Sequence, residues 1–298
     1  FLVNYGLMEF IGVFMQPVMK PIWKTPGRSA IDAVASFVGS YSLALLITDK
    51  VYQDGKYNGK EAAIIATGFS TVSATFMIVV ARTLGIMDQW LLYFWLTVAI
   101  TFIVTAITAR IYPLSKKPSE YYLNQPGDPE EQVVGNRFQT ALNEGMTAFK
   151  NSPTVIESVT DNLKNGINLA LSIGPLLMSI GVLGIVIAEY TPVFDVIGYI
   201  FYPFTLITRV PEPLLAAKAV SLSIAEMFLP ALLVTESHII TKFLIAIVSV
   251  SEILFFSASI PCIMATKIPL TIKEYFIIWI ERVVLSILIA APILHLIF

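Results

Sequence analysis

Two acidic residues, Glu226 and Glu252, stand inside otherwise apolar stretches, and they are the side chains of this sequence best placed to do chemistry. Glu252 is the only charge between positions 243 and 266. A carboxylate at the centre of a bilayer costs about 3 kcal/mol on insertion scales, so its presence there asks for a reason. The functional reason is contact with a substrate, a coupling cation or a proton; the plainer one is a structural carboxylate accepting hydrogen bonds from exposed backbone. Two carboxylates a few ångströms apart would share a proton. Hydroxyls form the second candidate group. Ser40 and Ser42 lie in Gly39-Ser40-Tyr41-Ser42, and Ser70, Thr71 and Ser73 in Gly68-Phe69-Ser70-Thr71-Val72-Ser73. Ser40, Ser70, Thr71 and Ser73 could coordinate sodium through oxygen. Ser40, Tyr41, Ser42, Phe228, Ser249 and Ser251, with the two glutamates, could hold a polar solute, Tyr41 and Phe228 by stacking on a ring. Serine back-bonding within helices is the ordinary alternative for the hydroxyls, and lipid or core packing for the two rings.

Other polar residues read as structural. Asp32 follows Arg28 by four residues and pairs with it on a helix. Lys218 snorkels near a membrane surface. Glu281 and Arg282 stand near the inner end of the last helix. Gly181 and Gly184 let helices approach. His238 and His295 lie too far apart to suggest a metal site. The sequence has no phosphate loop, no H-E-x-x-H and no nucleophile elbow, so no catalytic constellation and no enzyme is expected.

The elements that must position these residues are membrane helices. Of 298 residues, 56% are hydrophobic and 13% charged, with mean hydropathy +0.76. Soluble domains carry about 25% charged residues. The net charge is -2 with no basic stripe, which excludes nucleic acid as a partner, and the single cysteine, Cys262, excludes a disulfide framework. Phe1 in place of an initiator Met leads to the expectation that the chain begins inside a longer one. Stretches 62–81, 91–109, 167–188, 243–266 and 275–296 are each close to the 20 or so apolar residues that span a bilayer. Stretches 29–48 and 213–235 are interrupted midway, at 39–42 and 226–230. Their halves of about 10 residues reach about 15 Å, to the bilayer middle. They read as re-entrant hairpins, against the alternative of kinked spanning helices. Stretches 8–19 and 194–208 fit the membrane surface, and 110–165 reads as a loop plus a surface helix.

The chain also resembles itself. Leu43-Ala44-Leu45-Leu46-Ile47-Thr48 matches Pro230-Ala231-Leu232-Leu233-Val234-Thr235, and Glu9, Ile11, Gly12 and Pro17 match Asp195, Ile197, Gly198 and Pro203. Both halves read as surface helix, hairpin, interrupted helix, full helix, the breaks falling at 68–73 and 249–252. Counting crossings puts Lys20, Lys24, Arg28, Lys50, Lys56, Lys60, the basic residues of 110–165, Lys267 and Lys273 on one side, against Arg82, Arg209 and Lys242. The positive side is cytoplasmic. Charge balance is the same if 194–208 spans; its length favours lying flat, which inverts the second repeat. Inverted repeats with broken helices mark secondary transporters, with the site at the midplane.

The runs Gly27-Arg28-Ser29-Ala30-Ile31-Asp32, Gly39-Ser40-Tyr41-Ser42 and Gly68-Phe69-Ser70-Thr71-Val72-Ser73 resemble YjiH-like proteins carrying the nucleoside-recognition, or Gate, domain. Gate domains are similar to halves of concentrative nucleoside transporters. That resemblance implies a Glu at the second hairpin tip and polar residues at the second break for the ribose, the positions of Glu226 and Glu252. It implies sodium between the first tip and first break, where Ser40 and Ser70 stand. The Gln and Glu that read the base in those transporters are absent from the first tip here.

The expected fold is therefore an all-α integral membrane protein of two inverted repeats. Residues 1–109 form the first Gate repeat, 110–165 a cytoplasmic loop and surface helix, and 166–298 a long helix plus the second repeat. The expected function is secondary-active transport of a small polar metabolite, nucleoside-like, by ion-coupled alternating access in a bacterial inner membrane. The C-terminus is expected outside. Na+ or H+ is the coupling ion, no other cofactor is expected, and the assembly is a homo-oligomer, dimer or trimer. The alternatives are a non-transporting Gate-type module acting with a partner protein, and a transporter of an amine-bearing solute such as an amino acid or peptide.

Overall fold

The computed structural model describes residues 6–130, 136–150, 152, 154, 156–160 and 190–298, with isolated positions between 163 and 187. Among these residues every regular element is helical. The stretch 167–188, with Gly181 and Gly184, falls largely outside the described residues.

The chain opens with α1 (Leu7–Trp23), longer than the surface stretch expected and containing Pro17 and Pro21. A turn at 27–29 leads into α2 (Ala30–Val38) and α3 (Tyr41–Gln53), which pack on each other. Next come α4 (Gly59–Gly68) and α5 (Ala74–Thr83), then α6 (Trp90–Thr108). Asn58 and Glu61 start α4 with a reciprocal capping box, each side chain accepting from the other's amide. After the 110–130 segment, α7 (Arg137–Lys150) lies against α1. The second half holds α8 (Val193–Ile207) packed on α9 (Pro213–Leu222), then α10 (Leu229–Leu233), α11 (Ile239–Ser251), α12 (Ser259–Met264) and α13 (Ile272–Ile297). Helices α6, α11 and α13 pack on one another and form the centre.

Among the described residues two helices are long and apolar enough to cross a membrane, Met87–Thr108 and Ile272–Ile297. The stretches 62–81 and 243–266 are each two helices, α4 with α5 and α11 with α12. The first break lies between Gly68 and Ala74, within the stretch expected. The second begins at Glu252, later than expected, so Ser249 and Ser251 remain helical on α11. The physical reason is local: Glu252 N still donates to Val248 O (3.0 Å), and only Ile253, at φ 63, leaves the helix. The left-handed region is strained for a β-branched residue. Each break contains a tight turn of the same kind, Thr71 N to Phe69 O (2.9 Å) and Leu254 N to Glu252 O (2.7 Å). The second arm of 213–235 is shorter than expected, five residues in α10 against ten in α9.

Helix α6 is polar inside and apolar outside. Thr97, Thr101, Thr105 and Thr108 are buried, while Leu91, Trp95 and Ile103 are exposed. The hydroxyls of Thr101, Thr105 and Thr108 are satisfied within the helix or across to a neighbour, as in Thr101 donating to Thr97 O (2.7 Å), whereas Thr97 Oγ1 has no partner among the described residues.

Two long-range contacts hold the first half. The 110–130 segment ends in Glu130, whose Oε2 accepts from Gly27 N (2.8 Å) and Gln16 Nε2 (3.2 Å) and whose Oε1 accepts from Arg28 N (3.1 Å). Arg28 pairs with Glu130 rather than Asp32, at 3.9 Å. Asp32 is buried and accepts instead from Thr48 Oγ1 (2.6 Å) and Tyr57 OH (2.8 Å). Gly27 permits the contact with α1, because a Cβ there would lie 2.1 Å from Gly12 O. Replacing Glu130 by Ala leaves the Gly27 and Arg28 amides without their acceptor, at about 1–3 kcal/mol for a buried unsatisfied group. Thermal unfolding of Glu130→Ala in detergent is expected to show a lower midpoint than wild type. Gly27→Ala is expected to lower it as well, because backbone cannot yield as a side chain does.

Candidate functional site

The second break and the 223–228 turn are joined by main chain. Phe256 N donates to Ile224 O (2.6 Å) and Ser257 N to Ala225 O (2.9 Å). This brings Glu252 beneath the turn that carries Glu226. Glu252 is fully buried. Its Oε2 accepts from Trp279 Nε1 (2.9 Å) and from Ser223 Oγ, and its Oε1 has no partner among the described residues. Glu226 is half-buried, and its Oε2 accepts from Phe228 N (2.7 Å) and Leu229 N (3.0 Å). It therefore caps the start of α10, while its charge acts on Glu252. The two acidic residues expected at the site do come together.

The aromatic residues connect the halves crosswise. Tyr41, at the start of α3, stacks edge-on against Phe255 of the second break (5.8 Å between centroids). Phe228, in the 223–228 turn, meets Phe76 of α5 (6.2 Å). Glu226 also acts electrostatically on Tyr41. Both rings are thus packed on rings of the opposite half.

The serines divide. Ser40 Oγ caps α3 at Leu43 N (3.3 Å) and contacts Ser42 Oγ (3.0 Å), at a tip whose neighbour Val38 is 83% exposed. Ser73 Oγ accepts from Phe76 N at the start of α5 (3.4 Å), and Thr71 Oγ1 contacts Val72 O (3.3 Å). Ser36 Oγ donates to Thr71 O. Ser70 and Ser249 are buried with Oγ unpartnered, and Ser251 Oγ pairs with Ser286 Oγ (2.7 Å). Hydrogen bonds do not join Ser40 to Ser70, Thr71 or Ser73. Ser36 and Ser223, 187 residues apart, each donate to a group of the facing break.

Arg282 is the residue that sequence reasoning missed. The last helix begins at Ile272, so Arg282 stands near its middle and not at its inner end. It is fully buried. Its Nε donates to Ser251 O (2.7 Å) and its Nη1 to Thr105 Oγ1 (3.1 Å), and Thr105 donates in turn to Gly68 O (2.9 Å). One guanidinium so joins the last carbonyl of α11 to the end of α4. The available signal was its position: an ionisable residue within a long apolar helix is a site candidate by default. Lys218 pairs with Asp195 of α8 (2.9 Å).

The arrangement is an all-helical core in which two interrupted helices end on buried polar groups. Residues 1–87 match the Gate family model, described as nucleoside recognition. An uncharacterized protein of Alkalihalophilus pseudofirmus is 35% identical over the whole chain, which spans 65% of that relative's length. A solved structure of CNTnw in an inward-facing substrate-bound state is similar over 99% of this chain and 70% of its own, at 16% identity and a TM-score of 0.48.

The two amides on Glu226 separate its structural from its chemical part. Glu226→Ala is expected to lose about 1 kcal/mol, the usual worth of a helix cap. Glu226→Gln keeps a carbonyl acceptor and is expected to unfold near the wild-type temperature. Parallel thermal melts of the two variants check this.

Proposed function

We propose that the chain is a membrane-embedded secondary transporter of a small polar solute of the nucleoside class, driven by a coupling cation, Na+ or H+, through alternating access. The observation that carries the reading is Glu252: fully buried, with one oxygen unpartnered, where the backbone leaves the helix. Buried polar atoms are otherwise nearly always paired, so an orphan oxygen on a buried carboxylate points to an exchangeable ligand. The nucleoside class rests on the Gate match.

The membrane setting is supported by α6, with threonines inward and Leu91, Trp95 and Ile103 outward. An apolar exterior of this kind suits lipid, and the hydroxyls then serve packing between helices. In this reading α2 with α3, and α9 with α10, are re-entrant hairpins of two inverted repeats. Residues 1–109 are the first repeat, and 166–298 a long helix plus the second. Glu226, Glu252, Ser40, Tyr41, Ser42, Phe228, Ser249 and Ser251 hold the solute, and Ser40, Ser70, Thr71 and Ser73 are the first-half hydroxyls offered to sodium. The protein sits as a dimer or trimer in a bacterial inner membrane, with 110–165 cytoplasmic and the C-terminus outside.

One observation favours a second reading. Ser40 and Ser42 are bonded to each other and to the helix start, leaving the first tip without a side chain that reads a base. A Gate-type module acting with a partner protein, or a carrier of an amine-bearing solute, would need none.

Uptake into proteoliposomes separates these. Wild type is expected to show saturable uptake of at least one member of a panel of nucleosides, amino acids and dipeptides. Glu226→Gln and Glu252→Gln are expected to lose it while remaining folded. Folded wild-type protein that carries none of the panel would sink the transport reading and leave the partner-dependent module.

A further inference from the structure

Arg282 and Glu252 are opposite charges, both fully buried, and no ion pair joins them among the described residues. Each nevertheless acts on the other electrostatically. Arg282 Nη2 and Glu252 Oε1 are both without a partner. The remaining atoms are held: Arg282 by Ser251 O and Thr105, and Glu252 Oε2 by Ser223 and Trp279. Trp279 and Arg282 lie three residues apart, on one face of α13, so one helix grips both the carboxylate and the carbonyl that precedes it.

A buried guanidinium is tolerated when a counter-charge or several acceptors compensate it. Here the compensating charge is held at a distance, by atoms of the 223–228 turn and α13. The charged or titratable groups acting on Glu252 are Arg282 from α13 and Glu226 from the turn. Adding a proton to Glu252 changes the charge of this cluster without breaking a covalent bond. It also changes what Ser251 and Thr105 must compensate: Ser251 ends α11, and Thr105 donates to Gly68 O at the end of α4. The first break offers less to a metal cation. Hard cations take several oxygen ligands at once. There, Gly68 O and Thr71 O already accept from Thr105 and Ser36, and Ser40 and Ser73 cap helices, which leaves Ser70 Oγ as a hydroxyl without a partner among the described residues, one oxygen where several are needed.

We propose that Glu252 carries the coupling proton of the transport cycle and that Arg282 is the positioning residue that ties this proton to the two helix breaks. The inference rests on the transporter reading above and deepens it. A proton from water on one side joins the Glu252 carboxylate to give the acid. It leaves the same oxygen to water on the other side, and Arg282 keeps its own protons throughout.

The test uses the full chain in sodium-free proteoliposomes loaded with the pH dye pyranine, given the same panel of nucleosides, amino acids and dipeptides. Wild type is expected to accumulate a panel member under an inward proton gradient and to acidify the lumen as it does so. Glu252→Gln is expected to abolish both. Arg282→Lys keeps the charge but not the forked reach, and is expected to lower proton-driven accumulation about tenfold while exchange of internal for external solute is retained. A merely structural arginine would depress accumulation and exchange together, which overturns its positioning role. Uptake that requires sodium and ignores pH overturns the inference and leaves transport standing. No uptake of any panel member, in these proteoliposomes or in parallel ones given a sodium gradient, by protein that melts normally, overturns both.

Discussion

A single guanidinium holds the centre of this molecule together. Arg282 reaches the last carbonyl of α11 with one nitrogen and Thr105 with another, and Thr105 passes the contact on to Gly68 at the end of α4. Helix ends carry carbonyls without a partner in their own helix, the negative ends of the dipoles, and here other helices supply the donors. A buried cation among those ends is favourable for the same reason that a bare carbonyl there is not. Gly68 is part of the arrangement, because a Cβ would sit 2.3 Å from Thr105 Cγ2 and push away the residue that relays the contact.

Around this centre a largely apolar interior also buries many hydroxyls. Threonines of α6 and serines of α9, α11 and α13 are buried, and large apolar side chains line the exterior. The interior is thus rich in groups that need partners, and most find one locally by bonding back along their own helix. Of those that do not among the described residues, Ser70, Ser249, Glu252 Oε1 and Arg282 Nη2 stand at the breaks or on the helix beside them. The strained Ile253 stands there too. Unpaired polar atoms and a left-handed β-branched residue persist where surrounding structure over-determines them, and such places are where ligands and moving parts are found.

Much of the helical layout was legible in the chain. Uncharged runs, the turn at Gly39-Ser40 and the break at 68–73 are local signals: each depends on side chains within one stretch. Glu226 and Glu252 were also legible, because a charge in an apolar run is conspicuous. The second break was displaced by a few residues, since nothing in Ser249-Val250-Ser251 prevents a helix and it is the backbone at Ile253 that ends it. The pairing of Arg28 with Asp32 was read from helical spacing, but Arg28 lies in the turn before α2 and Glu130 arrives from 102 residues away.

From its own order of residues the chain determines where helices form, where they are interrupted and which charges are placed among apolar neighbours, because these follow from hydrogen bonding and hydropathy over a few turns. Only the tertiary structure decides what those charges meet. Arg282 lies 31 residues from Ser251 and 177 from Thr105, and Asp32 finds its partners in Thr48 and Tyr57 from elements beyond its own. Such contacts depend on how separate helices are brought side by side, which no spacing within one segment encodes.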